Sequence, residues 1–320
     1  NLAQAETAYA QGLLDRRTQQ LRLLPFRRFD NAERSFTAAR DHADMALHLA
    51  GRARETLRRR AANAVGRALG ALAPLDGIED RVWVAPELRA RLGRARALAS
   101  EARSLMEAGE NTRSGERARE AEAEAHALVD SLYAMAARYT NRDSLEAWRR
   151  AVAEAIAWSR RSGRAAVIVY KDEHRLALYQ AGKLTRTYRV ELGWNNLAYK
   201  RSQGDGATPE GRYSITQKKG PGASRYHRAL LLDYPNADDR RALAEAKRQG
   251  LVHRAAGPGG LIEIHGDGGR GRDWTDGCVA VTNAEIDQLF SRVGVGTPVI
   301  IVGSGNGQGD FSELATRLAR

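Results

Sequence analysis

The feature that most constrains the fold of this chain is a change of hydrophobic period at Arg161-Ser162-Gly163. Before it, apolar residues recur at spacings of three and four, as in Phe36, Ala39, Ala43, Ala46 and Ala50. The same spacing returns in Leu92, Ala95, Leu98, Ala102 and Leu105. After it come short apolar runs bounded by Gly and turn residues, beginning with Ala166-Val167-Ile168-Val169-Tyr170. A helix-period pattern does not sit as a strand, so the two halves must fold differently. The 320 residues are enough for two domains, each with its own core.

The helical half carries its own punctuation. Asp30 and Glu33 predict a capping box opening a long helix through about Leu69. Pro74, Asp76-Gly77 and Pro86 interrupt it, and a second helix is expected from about Glu87 to Ala108. Gly109 to Gly115 reads as a polar break, followed by a helix to about Tyr139. Asn141 or Asp143 then caps a helix ending near Arg161. Small Ala residues on the apolar stripes favour close packing in an antiparallel bundle or a stack of helical hairpins. Segments 30–50 and 87–140 look loosely alike, which hints at a repeat.

The second half reads as a β-rich α+β domain. Strands are expected at 166–170, 175–179, 184–192, 212–216, 230–233, 261–265, 279–281 and 298–302, with helices at 237–248 and 284–293. The domain expectation is therefore 1–162 helical, 163–303 β-rich, and 304–320 a Gly-rich linker with a short tail helix.

Charge narrows the partners less than it first suggests. Lys+Arg number 51 against 39 Asp+Glu, a net +12, and only six of the basic residues are Lys. A guanidinium-rich surface suits carboxylate-bearing polymers. Yet the signs alternate along helices, as in Glu116-Arg117-Ala118-Arg119-Glu120, which is the pattern of a solvated face. The excess is spread over both halves, and aromatic-basic interleaving of the RNA-binding kind is missing, so nucleic acid is not expected. No apolar run approaches the ~18–20 residues of a membrane span. Contact with a membrane would come only through a removed N-terminal signal or anchor.

One cysteine, Cys278, excludes an internal disulfide and any metal cage built on several cysteines. His42, His48 and His126 are scattered through the helical half, so neither a metal nor another cofactor is expected. Cys278 itself is either a small buried hydrophobe or a nucleophile. Its surroundings favour chemistry: a strand delivers His265, a Gly-rich loop follows through Gly266, Arg270, Arg272, Trp274 and Asp276, and the chain returns at Gly277-Cys278. Cysteine acyl transfer needs a thiolate, a base to make it, and donors for the oxyanion. His265 is the histidine close in sequence to the thiol, and Gly277 permits a tight turn. The second imidazole nitrogen needs an acceptor, either the Gly266 carbonyl or a nearby carboxylate.

Two motifs together, His265-Gly266 with Thr275-Asp276-Gly277-Cys278 and the upstream Gly204-Asp205-Gly206-Ala207-Thr208-Pro209-Glu210-Gly211, resemble the L,D-transpeptidase catalytic domain of YkuD-type fold. The Tyr234-Pro235-Asn236 turn and the closing Gly296-Thr297-Pro298-Val299 resemble members of the group from Gram-negative bacteria. The resemblance covers about residues 164–303. It implies peptidoglycan stem peptides as substrate, a thioester on Cys278, and transfer to an amine of another stem, in the periplasm. It assigns His265 as base, the Gly266 carbonyl as its orienting acceptor, and the Gly277 and Cys278 amides as the oxyanion hole.

The sequence departs from that family in three places. Asp276 stands where the family commonly has His, Ala280 where it often has Arg or Asn, and the loop from His265 to Thr275 is short. Recognition of a substrate carboxylate then falls to Arg270 or Arg272, with Asp276 an acceptor for a substrate ammonium or a turn residue. Trp274 either walls the acyl pocket or belongs to the core, and Tyr226 with His227 are candidates to line the cleft. Water as acceptor would make the protein an amidase or carboxypeptidase, and a lost activity would leave a wall-binding scaffold. The helical half offers surfaces for a protein partner or glycan.

Overall fold

The structure, a computed structural model, describes residues 1–319. Helices fill the first half: α1 (Leu2–Gln20), α2 (Asp30–Leu72), the short α3 (Ile78–Arg81), α4 (Pro86–Glu107), α5 (Asn111–Ala136) and α6 (Arg142–Ser162). The chain divides into two compact units, residues 1–71 with 94–123, and residues 72–93 with 124–320.

The first unit is built on alanine. Ala32, Ala39, Ala61, Ala64, Ala68, Ala95, Ala99, Ala102, Ala118 and Ala121 are buried, and the Ser114 hydroxyl donates to the Ala102 carbonyl at 2.7 Å. Two expectations fail here. Asp30 is inside the first turn of α2 instead of capping it, and the Phe29 carbonyl accepts the Glu33 N–H. The break expected over 109–115 is confined to about 108–110, because α5 starts at Asn111 and carries Gly115 within it. The apolar stripe of α2 is covered unevenly: Ala39 is buried, Phe36, Ala43 and Ala46 are half-buried, and Ala50 is exposed.

The second unit is organised by a mixed eight-stranded sheet of β1 (Ala165–Tyr170), β2 (Arg175–Gln180), β3 (Lys183–Arg189), β4 (Gly211–Lys219), β5 (Ala229–Leu232), β6 (Glu263–His265), β7 (Val279–Ala280) and β8 (Pro298–Val302). Their order is β3-β2-β1-β8-β4-β5-β6-β7, with β1–β8 and β6–β7 parallel and the remaining pairs antiparallel. β3 ends earlier than its apolar pattern predicts. The following residues leave the edge and bridge to the far side, Glu191 to Ala280 and Gly193 to Thr275, so the sheet curls.

Strand alternation divides the core between two faces. Val167 and Val169 enter the larger cluster with Leu230, Ile264 and Val279, covered by Ile286 and Leu289 of α8 (Asn283–Arg292). Ile168 and Tyr170 point the other way, onto Ala151 and Ala155 of α6 with Trp148, Val152 and Ile156 packed against them. Asn141 caps α6 by accepting the Ser144 N–H. Capping boxes start α7 (Ala237–Arg248) at Asn236/Asp239 and α8 at Thr282/Glu285.

The segment after β8, expected as a linker, is pinned instead. The Glu173 carboxylate accepts the Ser304 hydroxyl and the Gly305 N–H, and Asp172 accepts the Gly309 and Phe311 N–H groups. The tail helix α9 (Asp310–Leu318) then buries Phe311, Leu314, Ala315 and Leu318.

Candidate active site

His265 is the last residue of β6 and Cys278 immediately precedes β7, the parallel neighbour in which Ala280 pairs with His265. Residues two apart on a strand share a face, so the imidazole and the thiol rise on the same side of adjacent strands. The imidazole is fully buried, with Nδ1 2.6 Å from the Gly266 carbonyl and Nε2 bonded to no protein group. If Nδ1 carries the proton, as that carbonyl requires, Nε2 is an available acceptor.

Rings lock this imidazole in place. Tyr226 stacks on it with centroids 3.5 Å apart and planes 6° from parallel, and Trp274 meets it edge-on at 5.8 Å. Trp274 is fixed in turn by its indole N–H, which donates to the buried Glu191 carboxylate at 2.7 Å, and by the Arg270 guanidinium 3.4 Å above its ring. Burial lowers the His265 pKa from its ordinary value, with the Gly266 carbonyl opposing that shift.

Cys278 is half-buried, and its thiol donates to the Leu261 carbonyl at 3.5 Å. Burial raises its pKa to about 11, with the Glu263 and Asp276 carboxylates adding to the rise and the Glu263 amide and Arg225 opposing it. Burial therefore disfavours the charged form of both groups, the thiolate and the imidazolium.

The turn before the thiol depends on the upstream motif. Gly277 has φ of +125°, and a Cβ there would stand 2.7 Å from the Ala207 carbonyl oxygen. No L side chain fits that backbone without strain. The Thr275 hydroxyl donates to the Cys278 carbonyl at 2.8 Å and accepts the Gly277 N–H at 3.2 Å. The Gly277 amide is therefore engaged within the turn, where the family resemblance would have it face an oxyanion.

Buried charge fixes the upstream loop. The Asp205 carboxylate accepts the Arg201, Ser202 and Ala207 N–H groups and the Lys200 ammonium. Buried Thr208 accepts the Gly193 N–H at 2.8 Å through its hydroxyl, while its carbonyl takes the Lys171 ammonium at 2.9 Å. Lys171 also pairs with Glu210 at 2.9 Å, and Arg138 completes the cluster from a second side at 2.9 Å. Burial alone would raise the Glu210 pKa, but Lys171 and Arg138 outweigh it and hold the carboxyl at about 2. Burial also brings the Lys171 ammonium down to about 8 against the opposing pull of Glu210.

The other sequence candidates separate. Tyr226, Trp274 and Arg270 form one chain of rings and guanidinium beside His265. Arg272 instead lines a cleft shared with Trp194 and Asp273, and exposed Asp276 accepts the Trp194 indole N–H at 3.2 Å. His227 turns away to pair with Asp287 at 2.9 Å. Sequence reasoning passed over Glu191, Glu263 and Lys171, although a charge inside an apolar run such as Val190-Glu191-Leu192 signals a buried, partnered group.

Comparison with known proteins gives this arrangement a family. Residues 164–301 match the YkuD family, described as the L,D-transpeptidase catalytic domain. The protein named "Putative L,D-transpeptidase YafK" of Escherichia coli (strain K12) is 32% identical over 129 residues, which are 39% of this chain and 45% of that protein. The same figures hold for its counterpart in Escherichia coli O157:H7. The chain thus spans less than half the length of these relatives. Among solved structures, Bdellovibrio bacteriovorus Bd1075 aligns with a TM-score of 0.34 at 22% identity, covering 49% of this chain and 55% of that one. Mycobacterium tuberculosis L,D-transpeptidase 1 aligns at 0.28 and 15% identity, covering 44% of this chain and 62% of that one. What the comparisons give is thus a match of residues 164–301, a little under half of the chain, to the YkuD-type L,D-transpeptidase catalytic domain.

Proposed function

We propose that the protein is a peptidoglycan L,D-transpeptidase in which Cys278 is the nucleophile and His265 the general base. The observation that carries this reading is the imidazole with Nδ1 committed to the Gly266 carbonyl and Nε2 unpartnered, on the strand beside the one Cys278 leads into. Nε2 takes the thiol proton as sulfur attacks the carbonyl carbon of a donor stem peptide. The resulting oxyanion needs N–H donors, and the Cys278 amide is the nearest backbone candidate now that Gly277 donates to Thr275. Collapse breaks the C–N bond, the leaving amine takes the proton from His265, and a thioester remains on Cys278. An amine of a second stem then attacks the thioester, His265 accepts its proton, and the C–S bond breaks as the departing sulfur takes that proton back from His265.

The site favours a mechanism in which the thiolate forms only with substrate in place, since the resting thiol lies well above neutral pH. Arg270, held over Trp274, and Arg225, over the Tyr226 ring, flank the rings around the imidazole, and Arg270 is the one proposed for the substrate carboxylate. Peptidoglycan lies outside the cytoplasmic membrane, so this activity belongs to the periplasm. No helix among the described residues is long and apolar enough to cross a membrane. The test is intact-mass analysis of wild type and Cys278→Ala with purified sacculi, followed by sequencing of released products. An adduct on wild type alone, together with cross-linked muropeptides, is expected. Hydrolysed stems without cross-links would make water the acceptor, and wild type without any adduct would sink the reading.

A further inference from the structure

A second cleft lies across the 271–276 loop from the thiol, with a volume of about 600 Å³. Its walls include Trp83, Arg189, Glu191, Trp194, Asn196 and Arg272. That volume is in the range of small-ligand sites. Part of the wall, residues 79–89, precedes the 164–301 region that matches the family.

Asn196 is the informative group. It is 3% exposed, lines the cleft, and neither its amide oxygen nor its amide nitrogen has a hydrogen-bond partner. A buried amide left unpaired is costly, and its two donors and one acceptor oxygen match a ligand offering both roles at adjacent atoms. The neighbouring wall is aromatic: Trp83 and Trp194 lie with ring centroids 4.4 Å apart and planes at 59°. Trp194 is held there by Gly206, where a Cβ would come within 2.1 Å of its ring, and by its bond to Asp276. Its one polar atom is already spent, so it offers the cleft a flat apolar face.

The charges complete the picture. Around the cleft Arg89 pairs with Glu79, Arg81 with Glu313 and His174 with Asp273, and Glu191 accepts the Gly271 and Trp274 N–H groups. Arg189 and Arg272 have no ion-pair partner among the described residues, and nor do the Asp80 and Asp310 carboxylates elsewhere on the lining. An apolar ring wall, an unpaired amide and two free guanidiniums together fit a pyranose bearing an acetamido group and a carboxylate. We propose that this cleft binds the N-acetylated glycan strand at a muramic acid whose lactyl carboxylate carries no peptide, seating the sugar backbone while the stem peptide of a neighbouring residue reaches Cys278. The proposal rests on the peptidoglycan reading and adds a glycan subsite to it. The Trp194–Asp276 bond ties the subsite to the residue two before the nucleophile.

The probes are a peptide-free N-acetylglucosaminyl-N-acetylmuramic acid disaccharide and a stem tetrapeptide without sugar, each titrated into the full chain. Tryptophan fluorescence and calorimetry read binding. The disaccharide is expected to bind and perturb the indole signal, and Asn196→Leu to weaken it about tenfold or more without lowering the melting temperature, because a leucine removes the unpaired amide. Arg272→Gln should weaken the same titration and not that of the uncharged N-acetylglucosamine dimer. Absence of disaccharide binding, or binding indifferent to Asn196→Leu, overturns the proposal. Binding of the tetrapeptide alone, abolished by Asn196→Leu, reassigns the cleft to peptide and also overturns it. Thioester formation on wild-type Cys278 is scored separately with the tetrapeptide, so failure of the chemistry and failure of the subsite give different results.

Discussion

Both units of this chain carry solvated ion pairs, but the second also buries charge. In the first, ion pairs such as Arg117 with Glu101 and Glu120 sit on helix surfaces with both partners largely in water. In the second, Lys171, Glu210 and Arg138 are withdrawn from solvent, and Lys200–Asp205 and Lys219–Glu263 are nearly so. A solvated pair contributes little and can be replaced. A buried pair is costly to break, because the remaining partner is stranded. The lesson is that the same residue types solubilise helices and fix loop geometry around the candidate site. Lys171 holds the Thr208 carbonyl, Thr208 holds Gly193, and the Ala207 carbonyl bounds the turn at Gly277.

The largest effect expected from disturbing this arrangement is chemical. Cys278→Ala should abolish thioester formation, a drop of about 10⁴-fold or more, while leaving the fold intact by circular dichroism. A residual rate near wild type would place the nucleophile elsewhere. Gly277→Ala should follow, with a loss of about 10²-fold in acylation, since the methyl meets the Ala207 carbonyl and shifts the thiol. Wild-type acylation by this variant would show that the turn tolerates a side chain and that the close approach is unimportant.

Stability sharpens the contrast between units. Lys171→Met should cost about 3–5 kcal/mol in chemical denaturation, as expected when one partner of a buried pair is removed. Arg117→Ala, in the solvated set, should leave the midpoint unmoved. Equal losses would erase the distinction. The pH dependence has a definite sign. Glu210, held at about 2, binds its proton later than the unfolded chain does, so its stabilisation is present above the ordinary carboxylate pKa of about 4.3 and is lost as pH falls toward 2.

The smallest effect concerns the base. With burial lowering the His265 pKa, acylation should hold its rate as pH falls through about 6.5, the ordinary imidazole value, and decline only below it. Tyr226→Leu removes the stacked ring and should move that acid limb upward toward 6.5. A limb that starts at 6.5 in wild type and does not move would mean that the rings do not tune the imidazole.

Some of this was legible from residues alone. The helix at 237–248 and the strand at 298–302 fall where caps and apolar runs put them, because those signals are local. The expected strand at 184–192 ends at Arg189 because the following residues bridge to Ala280 and Thr275, partners far along the chain. The apolar stripe of α2 overstates its buried face because periodicity says which residues share a side and not whether anything covers it. His265, Gly266, Gly277 and Cys278 could be read as a group because one loop carries them. Glu191, Asn196 and Trp83 could not, since nothing in their local sequence marks the cleft they line.

Local sequence sets the change from helix to sheet, the single thiol, the glycine before it, and the histidine that ends a strand. Those are properties of composition, period and backbone freedom, which act over a few residues. Tertiary packing is what stacks and buries the imidazole and sets an unpaired Asn196 in a cleft that two tryptophans also line. Both depend on groups brought together from distant parts of the chain, and desolvation and hydrogen bonding act through space, whatever the separation along the chain.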